Sequence, residues 1–254
     1  MTPRPQISLL ILVFTILTIP NAMAQQFKAL LFADAYDEWH YRNVPVAHES
    51  FKELAELHYF ELTFVDRAKD FAKQTFADYD ILVFISANPC DLDEEKRTEL
   101  QTFVQNGGAI VGVHSASAVA QEPNRWPWWE AAMGRVFLHH PAQQSAVMTV
   151  EEPCHESCMH LPEKWLWTDE WYEFETPFPE HLNVVLTVDE KTYKPGKHPM
   201  GEFHPIAWYH EYDGGRVFYT AIGHIAAAYR NEAFLQHIYG GMLWALGDNV
   251  KRTY

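Results

Sequence analysis

Apolar residues in this chain recur at two spacings, and the order in which the spacings alternate predicts its elements. Continuous apolar runs at Phe27–Ala33, Tyr79–Ile85 and Ala109–Val113 are the pattern of strands buried on both faces, and Tyr59–Val65 alternates in strand fashion. Between the first two strands, Val44, Ala47, Phe51, Leu54 and Ala55 fall at helical spacing and predict a helix over Val44–Leu57. A second helix starts at the capping-box-like Asp91-Leu-Asp-Glu94, carries Leu100, Phe103 and Val104 on one face, and stops at Gly107-Gly108. Strand, helix, strand, strand, helix, strand with short joints is the signature of a doubly wound, mostly parallel α/β sheet.

The run Ala109–Val113 ends abruptly at His114 and Ser115, and small residues continue through Ala118. Ligands of open α/β sheets sit outside the carboxyl ends of the strands. His114 is therefore expected at the binding rim.

Beyond Ala118 the regularity weakens. Arg125-Trp-Pro-Trp-Trp-Glu130 predicts a short helix ending near Gly134, and Phe137–Pro141 a loop that carries His139 and His140. Strands are expected at Ser145–Val150, Val184–Val188 and Ile206–Tyr212; Asp213-Gly214-Gly215 then turns the chain into Arg216–Ala221 as an antiparallel hairpin. Asn231–Leu246 closes the domain with a helix whose buried stripe is Phe234, Leu235, Ile238, Met242 and Leu243. No internal repeat, low-complexity tract or linker interrupts 25–254, which reads as one domain.

The first residues stand apart. Arg4, the apolar run Ile7–Ile19 and the triplet Ala22-Met23-Ala24 are the n-region, h-region and cleavage site of a signal peptide spanning 1–24, so a periplasmic or secreted chain starting at Gln25 is expected. The run is too short for a spanning helix, and no cysteine marks a lipid-anchor site, so no stable membrane insertion is expected once the signal is removed. The remaining 18 basic and 34 acidic side chains give 18 − 34 = −16, a surface that repels phosphate backbones and argues against a nucleic-acid partner. No motif marks a nucleotide cofactor. Cys154 and Cys158 are placed to close a small loop in an oxidising compartment, or to join His155 and His160 in a zinc knot; Cys90 would stay a free thiol.

Five ordered motifs carry a resemblance: Gly107-Gly-Ala-Ile-Val-Gly-Val-His-Ser-Ala116, Thr168-Asp-Glu-Trp-Tyr172, His204-Pro-Ile-Ala-Trp208, Gly214-Gly-Arg-Val-Phe-Tyr-Thr-Ala-Ile-Gly-His224 and Gly240-Gly-Met-Leu-Trp-Ala-Leu-Gly247. Together they resemble the ThuA-like (trehalose utilisation) family across the whole mature chain. The resemblance implies a flavodoxin-like fold of the class I glutamine amidotransferase type. In those relatives the turn after the central strand carries a catalytic cysteine; here His114 and Ser115 occupy it, so glutaminase chemistry is not expected. His40 matches the family's loop histidine, whereas Phe203 stands where an aspartate is usual. The resemblance also implies a substrate class, disaccharides and their 3-keto derivatives.

Sorted by where their segments end, His40 follows the first strand, His114 the central strand and His224 the hairpin strand; His140 lies in a loop and Glu170 in the Asp-Glu-Trp-Tyr motif. The first and fourth strands are expected to be neighbours, which would aim these loops into one crevice. Imidazoles gathered there suit two chemistries. One is a zinc-type site with an open position, drawn from His40, His114, His140 and His224. The other is metal-free acid–base work, with His114 or His224 as base and Glu170 as acid. Asp169 is expected to orient a neighbour or cap a turn. Ser115, His40, Trp126, Trp171 and Tyr172 are the expected substrate contacts, the aromatics as a sugar-stacking wall or, on the plainer reading, a buried cluster. His48, His58, His181 and His237 read as ordinary polar residues. The leading expectation is an enzyme that cleaves or isomerises a 3-keto glycoside. A non-catalytic sugar-binding module is the alternative, and amidase chemistry through Ser115 ranks last.

Overall fold

Five apolar strands lie side by side at one end of a nine-stranded sheet. The computed structural model describes residues 25–33, 41–118 and 124–250; the expected signal peptide and His40 with its loop lie outside them. Strand β1 (Lys28–Phe32) pairs in parallel with β2 (Glu61–Val65) and β3 (Ile81–Ile85), and β3 with β4 (Ala109–Val113). The fifth parallel strand is β11 (Gly215–Thr220), which lies against β4 with Thr220 opposite Val113. Beyond it the sheet turns antiparallel through β10 (Pro205–Tyr212), β9 (Asn183–Val188), β6 (Gln144–Val150) and the edge strand β7 (Lys164–Asp169). The full order is β2-β1-β3-β4-β11-β10-β9-β6-β7. Its parallel half has the flavodoxin-like order, with β11 in the fifth place.

One expectation fails here. β1 and β4 are not neighbours, because β3 lies between them. The chain adds β2 on the outer side of β1, then returns to lay β3 and β4 successively on the other side, as short crossovers of one hand require. The free edge of β4 is thereby left to β11.

Helices α1 (Asn43–His58) and α5 (Glu232–Leu246) cover one face; His58 and Tyr239 stack across them at 4.0 Å. Gly241 of α5 sits where any Cβ would strike the Phe218 ring, so the helix lies close on β11. The one-turn α2 (Ala68–Phe71), α3 (Glu94–Gln105) and α4 (Pro127–Met133) cover the other face, where Phe71 and Trp129 pack edge-on against Phe84. The caps are as the residues suggest. Asp93 accepts the Lys96 N–H at the start of α3, and Asn231 accepts that of Phe234 at the start of α5. The hairpin from β10 to β11 turns through Asp213 and Gly214, both in the left-handed region.

Two further expectations are corrected. Phe137–His139 is a strand, β5, and not part of a loop; it pairs with β8 (Glu173–Phe174) in a small separate sheet, a partner some 35 residues away that local periodicity does not reveal. Cys154 and Cys158 are both free thiols: Cys154 is exposed, whereas Cys158 is buried in the core, which pushes its thiol up to about 11. No helix among the described residues is long and apolar enough to cross a membrane.

Candidate functional site

Three adjacent parallel strands end in left-handed backbone: Ser86 after β3 (φ 48°), His114 after β4 (φ 55°) and Gly223 after β11 (φ 127°). For a residue with a Cβ that conformation costs about 1–2 kcal/mol, so His114 has to be held in it. Its carbonyl accepts the Tyr219 hydroxyl at 2.8 Å, and Tyr219 in turn accepts the Ser117 hydroxyl at 2.7 Å. The ring is fixed by the strand pairing. Register places Ala221 beside His114, and the His114 Nδ1–H donates to the Ala221 carbonyl at 2.8 Å. A carbonyl can only accept, so Nδ1 carries the proton and Nε2 presents a lone pair, to which the Tyr172 hydroxyl donates at 2.8 Å.

His224 arrives on the turn after β11. Gly223 reaches φ 127° there, and a Cβ would lie 3.0 to 3.1 Å from Val113, Phe234 and Tyr229, so only glycine fits. The Asn43 amide donates to the His224 carbonyl at 2.6 Å. Asp169, fully buried at the end of β7, accepts the backbone N–H of Gly223 at 2.8 Å, of Glu170 at 2.9 Å and of His224 at 3.1 Å, together with the Trp167 indole N–H at 2.9 Å. Burial pushes its carboxyl up to about 6 against the pull of these donors. One carboxylate thus sets the spacing between Glu170 and His224.

Glu170 is the point of convergence. Its Oε2 lies 3.2 Å from His224 Nδ1 and 3.6 Å from His114 Nε2, and its Oε1 lies 3.5 Å from His140 Nδ1. His114 Nε2 and His224 Nδ1 are 3.3 Å apart. The four side chains are not equally accessible: His114 is 0 % exposed, Glu170 12 %, His224 13 % and His140 37 %. His114, expected as a base, is therefore an interior group. His140 stands at the mouth, its Nδ1–H donated to the Pro141 carbonyl at 2.9 Å, so that its lone pair is on Nε2. His114, Glu170 and His224 offer ligand atoms within 4.8 Å of one another, and His140 is not part of that group.

The other predicted contacts are placed differently. Tyr172 is buried against His114, with ring centroids 4.5 Å apart. Trp171 is fully enclosed, its indole N–H donated to the Gln144 carbonyl, and Trp126 is buried between Trp128 and the Arg97 guanidinium. The plainer reading of these two tryptophans as a buried cluster is the one that matches, because their faces are already covered. Ser115 is buried, with no hydrogen-bond partner for its Oγ among the described residues. His237 is a core residue between Ser157 and Thr220, held neutral by burial with its pKa down at about 3.

One pair escaped the sequence reading. His204 donates Nε2–H to the Tyr172 carbonyl at 2.8 Å, and its Nδ1 lies 3.0 Å from Glu190. Burial alone would raise the Glu190 carboxyl, but His204 and the N–H groups of Met200 and Gly201 outweigh it and hold the carboxyl below its usual range. The only available signal was that His204 opens one of the five motifs; its contact beneath Tyr172 is purely tertiary.

Comparison with known proteins agrees with this architecture. The family model described as trehalose utilisation, ThuA, matches residues 28–245. A ThuA-like protein from Bacteroides uniformis superposes with a TM-score of 0.75 at 24 % identity, over 91 % of this chain and 95 % of that one. One from Parabacteroides merdae gives 0.69 at 20 %, over 91 % and 93 %. A GMP synthase protein from Thermoplasma acidophilum gives 0.50 at 12 %, over 88 % and 96 %, and shares the fold alone. Among curated proteins there is no match.

Proposed function

The chain belongs to the ThuA, trehalose-utilisation, family, and from that premise we propose that it is an exported carbohydrate-processing enzyme that cleaves a 3-keto glycoside by proton abstraction and elimination. The sugar class follows from the family resemblance. The chemistry is supported by one observation: imidazoles from β4, from the turn after β11 and from the segment after β5 surround a single carboxylate, Glu170, at 3.2 to 3.6 Å.

A ketone at C3 acidifies the proton on C2. In this reading His140 takes that proton on Nε2, because it is the most exposed of the four groups and its other nitrogen is already donated. The electron pair left on C2 delocalises onto the C3 oxygen, which in this reading the His224 imidazole stabilises by donating a hydrogen bond, with Glu170 behind it. Expulsion of the C1 oxygen substituent then forms the C1–C2 double bond, and the abstracted proton is returned to the leaving oxygen. Addition of water to that double bond would complete net hydrolysis. His114, Asp169 and Tyr172 position these groups and do not touch substrate. A purely sugar-binding module is less well supported, because the tryptophan faces it would use are enclosed.

The test is to offer the mature protein 3-keto disaccharides and the same disaccharides unoxidised. Release of the leaving sugar from the keto compounds alone is expected, with solvent deuterium entering at C2. Failure to turn over any oxidised glycoside, or wild-type rates from both the His140→Ala and His224→Ala proteins, would sink the reading.

A further inference from the structure

We propose that His114 Nε2, His224 Nδ1 and Glu170 Oε2 form a binding site for one divalent transition-metal ion of the zinc type; this rests on the site described above but not on its substrate. The three ligand atoms form a triangle with sides of 3.3, 3.2 and 3.6 Å. The circle through three points so spaced has a radius of about 2 Å, and Zn–N and Zn–O bonds are about 2.0–2.2 Å long. An ion just off the plane of the triangle would reach all three donors without any of them moving far.

The surroundings are those of a metal site. Metal-bound imidazoles usually donate their other N–H to a carbonyl or carboxylate, which fixes the tautomer. His114 already does this with Ala221, so its Nε2 carries the lone pair, 3.6 Å from Glu170 Oε2. His114 Nε2 and Glu170 Oε2 lie 3.6 Å apart with His224 Nδ1 within 3.3 Å of both, a spacing that one shared cation can bridge. Asp169 ties the backbones of both other ligands into one turn, giving the donors a common support. Among the described residues the set is two imidazoles and one carboxylate, the number of protein donors that catalytic zinc sites use. His140, on the opposite oxygen of Glu170, stays outside the ligand set and available for proton transfer.

One group competes with the ion. The Tyr172 hydroxyl donates to the His114 Nε2 lone pair at 2.8 Å, and coordination must break that bond. Removing the hydroxyl should therefore help the metal, whereas a merely structural hydrogen-bond network would only be weakened.

The experiment uses untagged mature protein, stripped with chelator and titrated with Zn2+ and with Co2+, read by metal content, calorimetry and the visible spectrum of the cobalt form. One equivalent is expected in the wild type and in His140→Ala. Tyr172→Phe should bind as tightly or up to about fivefold more tightly, one neutral hydrogen bond having been removed from the competition. Glu170→Gln and His224→Ala should bind at least about tenfold more weakly, and Asp169→Asn roughly 10- to 100-fold more weakly. Circular dichroism of each variant checks that it is folded, and zinc should raise the melting temperature of the wild type but not of His224→Ala. Substoichiometric binding by the wild type, or wild-type affinity in both Glu170→Gln and His224→Ala, overturns the site. Turnover of keto sugars by a wild type that binds no metal overturns the site and leaves the carbohydrate reading standing; stoichiometric metal without turnover of any keto sugar does the reverse.

Discussion

The carboxylate of Asp169 accepts the backbone N–H of Gly223 at 2.8 Å, joining the end of the edge strand β7 to the turn after β11, four strands further in. This bond closes the rim. It draws the Asp169-Glu170 pair over the sheet, so that Glu170 lies against His114 and His224, which the pairing of β4 with β11 has already brought together.

The buried carboxyl of Asp169 predicts a pH signature. Its pKa in the fold is raised to about 6 from an ordinary value of 3.8. A raised carboxyl favours the folded state fully below about pH 4 and loses that contribution as the pH climbs through about 6. The stability of the wild type relative to Asp169→Asn, which cannot titrate, should fall by about 2 kcal/mol between pH 4 and pH 7. Urea melts across that range measure it; a flat difference would mean that the four N–H donors fully compensate burial.

Glu190 has the opposite sign. Its carboxyl is held below the usual range, so its contribution is present at neutral pH and disappears as the pH falls through the folded-state pKa. Glu190→Gln breaks a largely buried pair with His204 and should cost about 3 kcal/mol in a guanidinium melt at pH 7. The cost should shrink in acid. Because His204 supports the Tyr172 backbone, the variant should also lower turnover.

Gly223→Ala tests the turn itself. The added methyl meets Val113, Phe234 and Tyr229 at 3.0 to 3.1 Å, and φ 127° is strained for a residue with a Cβ. A loss of about 2 kcal/mol or more is expected, read by thermal melting, together with loss of activity as His224 shifts. Retention of full activity would show that the position of His224 does not matter.

His140→Ala separates chemistry from folding. The side chain is 37 % exposed, so stability should change by less than about 0.5 kcal/mol. Turnover of a keto glycoside should fall by about 10²- to 10⁴-fold, the usual contribution of a positioned base. An equal loss of stability and rate would assign His140 a structural role instead.

Much of the molecule was legible in the residue pattern. The strands of the parallel core, helices α1, α3, α4 and α5 and the hairpin through Asp213-Gly214 follow from periodicity, caps and turn residues that act over a few positions. His114 was legible for the same reason, because a buried apolar run that stops at a polar residue marks the rim of the sheet. What only the tertiary structure decided is who faces whom. The insertion of β3 between β1 and β4, the choice of β11 as the partner of β4, and the return of Glu170 from the far edge depend on pairings between strands well separated along the chain. The same packing covered the faces of Trp126 and Trp171 and set His204 beneath Tyr172. Local pattern records how each segment meets its own core, whereas a site assembled from strand ends is specified by the order in which the strands pair.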